Sequence, residues 1–456
     1  MAQLNMTQGP VRSHMVRYAT PLILGNFFQL SYNLVDSVIA GRFIGKDALA
    51  AGGTASPIMN ILILGISGLS IGAGVLMSEF FGAGEREKLK REMSTVLLFG
   101  LFFSLALVAL GVVFARPLLV ALAVPPEILD MTSAYVRIIF LGVPFTYFYN
   151  TLAAALKSVG DSQTPLKFLV FSSLLNAGLD IIFIGFLGFG LVCSAITTVV
   201  AEATSAALSL AYIYWKIPEL SLKPGEFKLD KSLLKVTLNY GAASSLQSAC
   251  QPIGKLLIQR CINAQGVDAM AAFNAVTRID DFATIPEQSI AQAITTFVAQ
   301  HRGKGVRRQE DRGRIYSGFR VGLRLECYYA IFICLVAEFL QLPIMLLFVE
   351  ASSSAVTIAM GCEYLTLMGF LYIMPAMSNG FQGMFRGCGR MKVTLLCTLI
   401  QISTRVVLSY VSVPLVGITG YAVASAIGWT FMLGFEVPYY LFNKSRWEKG
   451  LRPFGD

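Results

Sequence analysis

The chain has 456 residues, of which 55% are hydrophobic and only 14% are charged, and its mean hydropathy is +0.65. A soluble globular domain has about one quarter charged residues, so this composition excludes that class and indicates an all-α, polytopic membrane protein. The formal net charge of +9 needs no nucleic-acid partner, because its basic residues fall in loops where membrane topology explains them.

Apolar windows that are long enough to cross a bilayer recur along the whole chain. A helix needs about 20 apolar residues to cross about 30 Å of hydrocarbon. Twelve transmembrane helices are predicted, over residues 18–40, 56–79, 94–114, 132–155, 168–187, 191–214, 237–262, 276–299, 318–341, 358–384, 395–415 and 419–443. The polar opening segment lacks the pattern of a cleavable signal, so we expect the first span to persist in the mature protein.

The distribution of basic residues predicts the orientation. An even number of spans places both termini on one side, and 26 of the 36 Lys and Arg residues lie on that side, against 3 in the opposite loops. The positive-inside rule therefore predicts that both termini are cytoplasmic, in a multi-pass protein of the inner (plasma) membrane.

Motifs for covalent or nucleotide chemistry are absent from the sequence. No GxxxxGK[ST] loop or HExxH pattern occurs, and the two histidines, His14 and His301, fall at predicted cytoplasmic positions. The eight cysteines form no CxxC pair and lie mostly in predicted helices, so we expect free packing residues and no disulfide framework. The sequence thus predicts neither an enzyme nor a protein with a cofactor.

The second half of the chain repeats the first. GKDALAAGGTASP, from Gly45, aligns with GVDAMAAFNAVTR, from Gly266, at an offset of 221, and an offset of 229 later places Tyr135 on Tyr364. Duplicated helical bundles are typical of transporters that alternate access to a site between the repeats. We therefore expect an N-lobe at residues 1–215, a cytoplasmic linker at 216–236 and a C-lobe at 237–456.

Polar side chains follow one face of the first span. Gln29, Tyr32, Asn33 and Asp36 recur at helical spacing within an otherwise apolar run. An ionised carboxylate in hydrocarbon costs about 2.5 kcal/mol or more, so this face is expected to look into the bundle. Alternatively, Asp36 lies near the outer interface.

Two further spans of the first half carry polar side chains. Asn176 and Asp180 are one turn apart in the fifth span, and Thr197 and Thr198 stand one turn before Glu202 in the sixth. Neighbouring acids in a dry setting bind a proton, and several hard oxygens suit a small cation, so the residues alone leave both ligands open. In a third interpretation, each acid is a hydrogen-bonded structural residue.

The second half is polar in a different way. Gln251 and Lys255 belong to an i+4 series in the seventh span, and Glu287 lies in the eighth. We predict an ion pair between Lys255 and Glu287 that stabilises the lobe; alternatively, both line the substrate cavity.

Glycine and proline predict where helices approach or bend. Gly68 and Gly72 have the small-xxx-small spacing that lets membrane helices approach closely, although ordinary membrane-helix glycines fit the pattern equally. Pro21 removes a backbone hydrogen bond within the first span and predicts a kink there.

Three motifs resemble the multidrug and toxic compound extrusion (MATE) family, within the wider group of polysaccharide and lipid flippases. They are NLVDSVIAGRFIGKDALAAGGTASP, SIGAGVLMSEFFGAGEREKLKR and AALKSVGDSQTPLK. The resemblance implies two six-helix lobes and an antiporter that exports amphipathic, often cationic, small molecules against entry of protons or sodium ions. The alternative is a flippase for a lipid-linked saccharide or another lipid.

The resemblance also assigns residues. It implies a cation site, for H⁺ or Na⁺, made by Asp36, Asn176, Asp180 and Thr198, and a first helix that bends at Pro21. Gln251 and Lys255 stand in the seventh helix, where some members carry an acid, so a C-lobe cation site of that type is not expected. The other residues expected to line the cavity are Gln29, Tyr32, Asn33, Tyr135, Glu202, Gln251, Lys255 and Glu287. The expected partners are a small-molecule substrate and membrane lipid, and the protein is expected to be a monomer that binds no nucleic acid.

Overall fold

The computed structural model describes residues 4–43, 46–122, 124–305, 309–348 and 355–450, without the side chains of residues 33–43, 46–50, 309–312, 348, 445, 446 and 448–450. Within these ranges the regular structure is entirely helical. The helices are α1 (Val11–Phe43), α2 (Lys46–Ala83), α3 (Arg86–Ala121), α4 (Pro126–Ser158), α5 (Gln163–Asp180), α6 (Leu191–Lys216), α7 (Lys231–Asn263), α8 (Val267–Lys304), α9 (Gln309–Phe348), α10 (Ala355–Leu371), α11 (Ile373–Gly387), α12 (Met391–Val416) and α13 (Thr419–Gly450). A π-helical segment, Ile181–Phe186, continues α5, and a 3-10 turn, Pro224–Glu226, precedes α7.

The predicted spans match these helices with one interruption. The tenth span is divided between α10 and α11, which meet at Tyr372 with a bend of 42°. In the described part of the chain, seven helices are long and apolar enough to cross a membrane, and this bent pair makes an eighth. The helices α1, α7, α8 and α13 are not among these spans, and α1, α7 and α8 contain most of the polar positions that the sequence analysis selected.

The chain forms two compact units. The first unit comprises residues 1–5 and 24–245, and the second comprises residues 6–23 and 246–456. The start of α1 therefore belongs to the second unit, and the first turns of α7 belong to the first. The lobe boundaries expected from the sequence stay a prediction; the units differ from them in these two helices.

The segment between α6 and α7 is bound to the start of α3 within the first unit. Lys90 Nζ lies 3.2 Å from both carboxylate oxygens of Glu226. The hydroxyl of Ser94 donates to the carbonyl of Lys228 at 2.9 Å. The backbone N–H of Lys223 and the ammonium of Lys90 lower the pKa of Glu226. The expected linker is thus fixed to α3 by polar contacts.

Asp230 closes this segment and starts α7. Its Oδ1 accepts from the hydroxyl and backbone N–H of Ser232 and from the backbone N–H of Leu233, at 2.5, 2.9 and 3.2 Å. These donors, with Arg91 nearby, lower the pKa of Asp230. The side chain therefore caps the amino end of α7, where unpaired backbone donors need an acceptor.

Glycines determine how closely α2 and α7 approach. A Cβ atom on Gly68 would lie 2.2 Å from Oγ and 2.4 Å from the backbone N of Ser245, and one on Gly72 would lie 2.6 Å from the backbone N of Gly241. No larger residue fits either position without moving the backbone. The predicted small-xxx-small contact is confirmed as a specific helix crossing.

Aromatic rings fill the core of the second unit. Phe273 of α8 packs between Tyr364 of α10 and Tyr421 of α13, with ring centroids 6.1 and 5.1 Å away. Tyr364 and Phe273 are almost completely buried. This cluster fixes α8 against the broken α10–α11 pair, next to the polar residues described below.

Candidate functional site

Two predicted site residues come together at the end of α5. Asn176 and Asp180 are each only 1% exposed, and Asp180 is the last residue of the α-helix before the π-helical segment. Single π turns within helices often occur at functional sites, because they change the direction of the side chains on either side. An acid and an amide are therefore buried at a local break in the helix.

The hydroxyl that bonds to Asp180 belongs to Thr197 of α6. Its Oγ1 lies 2.5 Å from Asp180 Oδ1, and the Thr197 side chain is 3% exposed. The carbonyl of Ser194 lies 2.8 Å from the Thr197 hydroxyl and also accepts a hydrogen bond of 2.9 Å from the neighbouring Thr198. The implied role of Thr198 in the cation site stays a prediction, while the geometry places Thr197 in contact with the acid.

Asn176 has an unused hydrogen-bonding capacity. Neither its Oδ1 nor its Nδ2 has a partner among the residues that the structure describes. A buried amide without hydrogen-bond partners is energetically costly. The amide of Asn176 can therefore bind a water, an ion or another side chain. The predicted cation-site residue Asp36 and the predicted cavity residue Asn33 lie on α1, outside the described side chains. The described groups supply amide, carboxylate and hydroxyl oxygens. Such oxygens can bind a proton or coordinate a small hard cation.

Glu202 belongs to a second polar contact in the same unit. The hydroxyl of Thr146 on α4 donates to its Oε2. Glu202, Thr146 and Thr198 line a small cavity of about 30 Å³ whose remaining walls are apolar. Thr146 was not selected from the sequence, because a lone hydroxyl in the run VPFTYFYN has no spacing signal. Thr198 therefore faces the Glu202 cavity.

Other selected residues of the first half are more scattered. Tyr135 packs against Ala51 and Leu191, and its hydroxyl lies 3.8 Å from the sulfur of Met59. On α1, Gln29 is exposed, Tyr32 is half-buried, and Pro21 is buried inside a continuous helix. The implied bend at Pro21 and the cavity roles of Gln29, Tyr32 and Tyr135 stay predictions.

The predicted ion pair between Lys255 and Glu287 is wrong. Lys255 Nζ instead lies 2.9 Å from Oδ1 of Asp281 at a partly exposed position. Glu287 is completely buried and accepts a hydrogen bond of 3.2 Å from the amide of Asn379. Asp281 and Glu287 are six residues apart on α8, about 9 Å along the helix. The ammonium of Lys255 therefore cannot pair with both carboxylates.

Gln251 contacts a buried arginine in the second unit. Nη2 of Arg405, on α12, donates to Oε1 of Gln251 at 3.0 Å, and its guanidinium carbon lies 5.6 Å from the ring centroid of Tyr421. On α8, Asp280 accepts from the hydroxyl of Tyr372, the residue at the break between α10 and α11.

Several buried charged residues of the second unit were missed from the sequence, among them Glu326, Arg405 and Glu436, on α9, α12 and α13. None of the three has another charged side chain three or four residues away along its helix. The isolated charge was the available signal, since buried charges in spans are expensive and functional by default.

Comparison with known proteins identifies relatives over most of the chain. The MatE family model matches residues 21–182 and 243–411. The probable multidrug resistance protein YoeA of Bacillus subtilis is 28% identical over 319 residues, 68% of each chain. The probable multidrug resistance protein NorM of Thermotoga maritima is 23% identical over 446 residues, 96% of this chain and 94% of its own.

A solved structure shows the same fold. The crystal structure described as MATE in complex with MaL6 superposes with a TM-score of 0.89 at 21% identity, over 98% of this chain and 100% of its own. The predicted fold class is confirmed: twelve membrane-spanning helices in two six-helix lobes.

Proposed function

Because the chain belongs to the MATE family of multidrug transporters, we propose that it exports amphipathic, cationic small molecules in exchange for protons or sodium ions. The transporter acts by alternating access in the inner (plasma) membrane, with both termini in the cytoplasm. It works as a monomer and uses the coupling ion in place of any cofactor.

The buried contact between Asp180 and Thr197, with the unpartnered Asn176 beside it, carries this proposal. A carboxyl group in such a dry position is neutralised either by a proton or by a bound cation. The driving ion therefore binds here, together with Asp36 of α1. Relatives named as multidrug resistance proteins support drugs or toxins as the exported class.

The first helix is the element through which ion binding acts. The boundary between the two compact units crosses α1 between Ile23 and Leu24, two residues after the buried Pro21. A proline weakens the helix at that turn, because it cannot donate a backbone hydrogen bond. Binding of the ion at Asp36 changes the energy of bending α1 and so selects between outward and inward openings.

The test is efflux of a fluorescent cationic dye from liposomes that contain the purified protein, driven separately by a pH gradient and by a sodium gradient. Wild type is compared with Asp180→Asn and Asp36→Asn. The matched control is Asp130→Asn, because Asp130 is 79% exposed and pairs with Arg116.

We expect one gradient to drive efflux, the two site variants to abolish it, and the control to retain it. Undiminished transport by Asp180→Asn would show that the N-lobe acids have a structural role. No dye transport by wild type under either gradient would favour the flippase alternative.

A further inference from the structure

The second unit contains two buried carboxyl groups that the proposed N-lobe site does not use. Glu287 of α8 and Glu326 of α9 are both 0% exposed. The amide of Asn379, on α11, donates to Oε2 of Glu287 at 3.2 Å. A Cβ atom on the next residue, Gly380, would lie 3.8 Å from Cγ of Glu326. Both acids therefore lie against the same turn of α11.

Few donors are available to stabilise negative charge at this junction. Oε1 of Glu287 and both oxygens of Glu326 have no hydrogen-bond partner among the residues that the structure describes. By contrast, the buried Glu436 accepts from the hydroxyl of Ser378. Burying an ionised carboxylate without donors is costly, and Glu326 has no compensation at all.

The charged and titratable neighbours make a double negative charge less favourable still. The electrostatic neighbours of Glu326 are Glu287 and Cys327, and Asp280 adds negative charge near Glu287. The hydroxyl of Tyr329, on α9, is committed to the carbonyl of Ala283 at 2.7 Å.

The residues that α11 and the break before it place near Glu287 and Asp280 are neutral. Asn379 supplies a neutral amide, and Tyr372 donates to Asp280. The nearby cation Lys255 is paired with Asp281. Two adjacent carboxylates in a dry site do not both ionise.

We propose that Glu287 and Glu326 form a proton-binding site in the second unit, in which the pair holds one exchangeable proton. The proton resides on Glu326, which has no donor, and the charge resides on Glu287, where the Asn379 amide stabilises it. This site is separate from the N-lobe acids, and its existence does not depend on which ion drives export.

The geometry favours a proton over a metal cation. Sodium- or calcium-like ions need about six oxygen ligands, whereas the described polar side chains at this junction are two carboxyl groups and one amide. Helical carbonyls around them are already used in backbone hydrogen bonds. A proton needs only the two carboxyl groups.

Release of the proton has a mechanical consequence. Two negative charges, one on α8 and one on α9, would then lie against the same turn of α11, and their repulsion in a low-dielectric setting is large. Because Asn379 and Tyr372 tie α11 and its break to α8, deprotonation strains the broken helix. The pair thus links proton release to rearrangement of α11.

Infrared difference spectroscopy of the full-length protein in lipid nanodiscs tests the site, because the carbonyl of a protonated carboxyl group absorbs apart from that of a carboxylate. Spectra between neutral and alkaline pH are recorded for wild type, Glu326→Gln and Glu287→Gln. The control is Glu338→Gln, a half-buried glutamate farther along α9. Size-exclusion chromatography and circular dichroism establish that each variant is folded.

The other buried acids, Asp180 and Glu436 among them, also absorb in this region. We therefore expect the wild-type spectrum to contain a carboxylic-acid component that Glu326→Gln lacks and Glu338→Gln keeps. In Glu287→Gln the carboxylic-acid band of Glu326 should disappear at a lower pH than in wild type. The reason is that the negative charge of Glu287, which favours the protonated form of Glu326, is gone. Carboxylic-acid absorption that is identical in wild type and in folded Glu326→Gln overturns the proposal. If Glu326→Gln does not fold, an unchanged titration in Glu287→Gln overturns it. Loss of the Glu326-dependent component on adding sodium at constant pH would also refute the proposal, because the pair would then bind the metal.

Discussion

The contact between Thr197 and Asp180 gives a prediction whose sign depends on the coupling ion. Thr197→Val removes the hydroxyl and keeps the shape of the side chain, so packing in α6 is preserved. Both residues are at most 3% exposed, so water does not readily replace the lost bond. A hydrogen bond to a charged group contributes about 1.5–3 kcal/mol, which corresponds to about a 10- to 150-fold change in apparent ion affinity.

The direction distinguishes the two ions. If sodium is the coupling ion, the variant loses an oxygen ligand and binds sodium more weakly. If the proton is the coupling ion, the empty carboxylate loses its donor, and the variant releases its proton less readily. The assay is the dependence of dye efflux on sodium concentration and on pH in proteoliposomes.

Thr198→Val is the matched control, because its hydroxyl bonds within its own helix at 2.9 Å. We expect its ion dependence to stay within a few fold of wild type. A large change in Thr198→Val together with no change in Thr197→Val would refute the assignment of Thr197 to the site.

Two further predictions concern stability. Gly68→Ala should destabilise the folded protein by about 1–3 kcal/mol, since its new methyl group would lie 2.2 Å from Oγ of Ser245. Thermal unfolding in detergent measures this change. The control Gly65→Ala, whose new methyl group would meet nothing within 4 Å, should not be destabilised. Asp230→Ala should cost about 1 kcal/mol at neutral pH through loss of the α7 cap. Because the pKa of Asp230 is lowered by folding, its ionic contribution is present above its unfolded pKa and is lost as the pH falls through the folded value. The gap between wild type and Asp230→Ala should therefore narrow on acidification, and a gap that widens would contradict this account.

The cation-site residues show what the sequence could and could not assign. Asn176 and Asp180 were selected because they lie one turn apart in an apolar span, and the structure buries both. The choice between Thr197 and Thr198 was not available from spacing, because adjacent residues point about 100° apart on a helix and only the rotation of α6 against α5 decides which one faces the acid.

In the second unit, the sequence likewise could not predict which residues of neighbouring helices lie at the same level along the helix axis. Lys255 and Glu287 are opposite charges on consecutive helices, which made an ion pair plausible from the sequence. Their partners depend on how α7 slides along α8, and the structure places Lys255 beside Asp281. Glu326 has no other acid within a turn along its own helix, so its relation to Glu287 arises only when α9 packs on α8.

By itself, the sequence determined that the chain is a duplicated, all-helical membrane protein of the MATE family, because hydropathy, repeat and motif are properties of consecutive residues. The sequence also selected Asp180, Glu202 and Glu287 as membrane acids, but it missed Glu326 and Glu436. Only the tertiary structure decided which donor each acid meets and that the tenth span breaks at Tyr372. It also decided that Glu287 of α8 and Glu326 of α9 contact the same turn of α11. These outcomes depend on the rotation and depth of whole helices, which packing across many residues determines and local spacing does not encode.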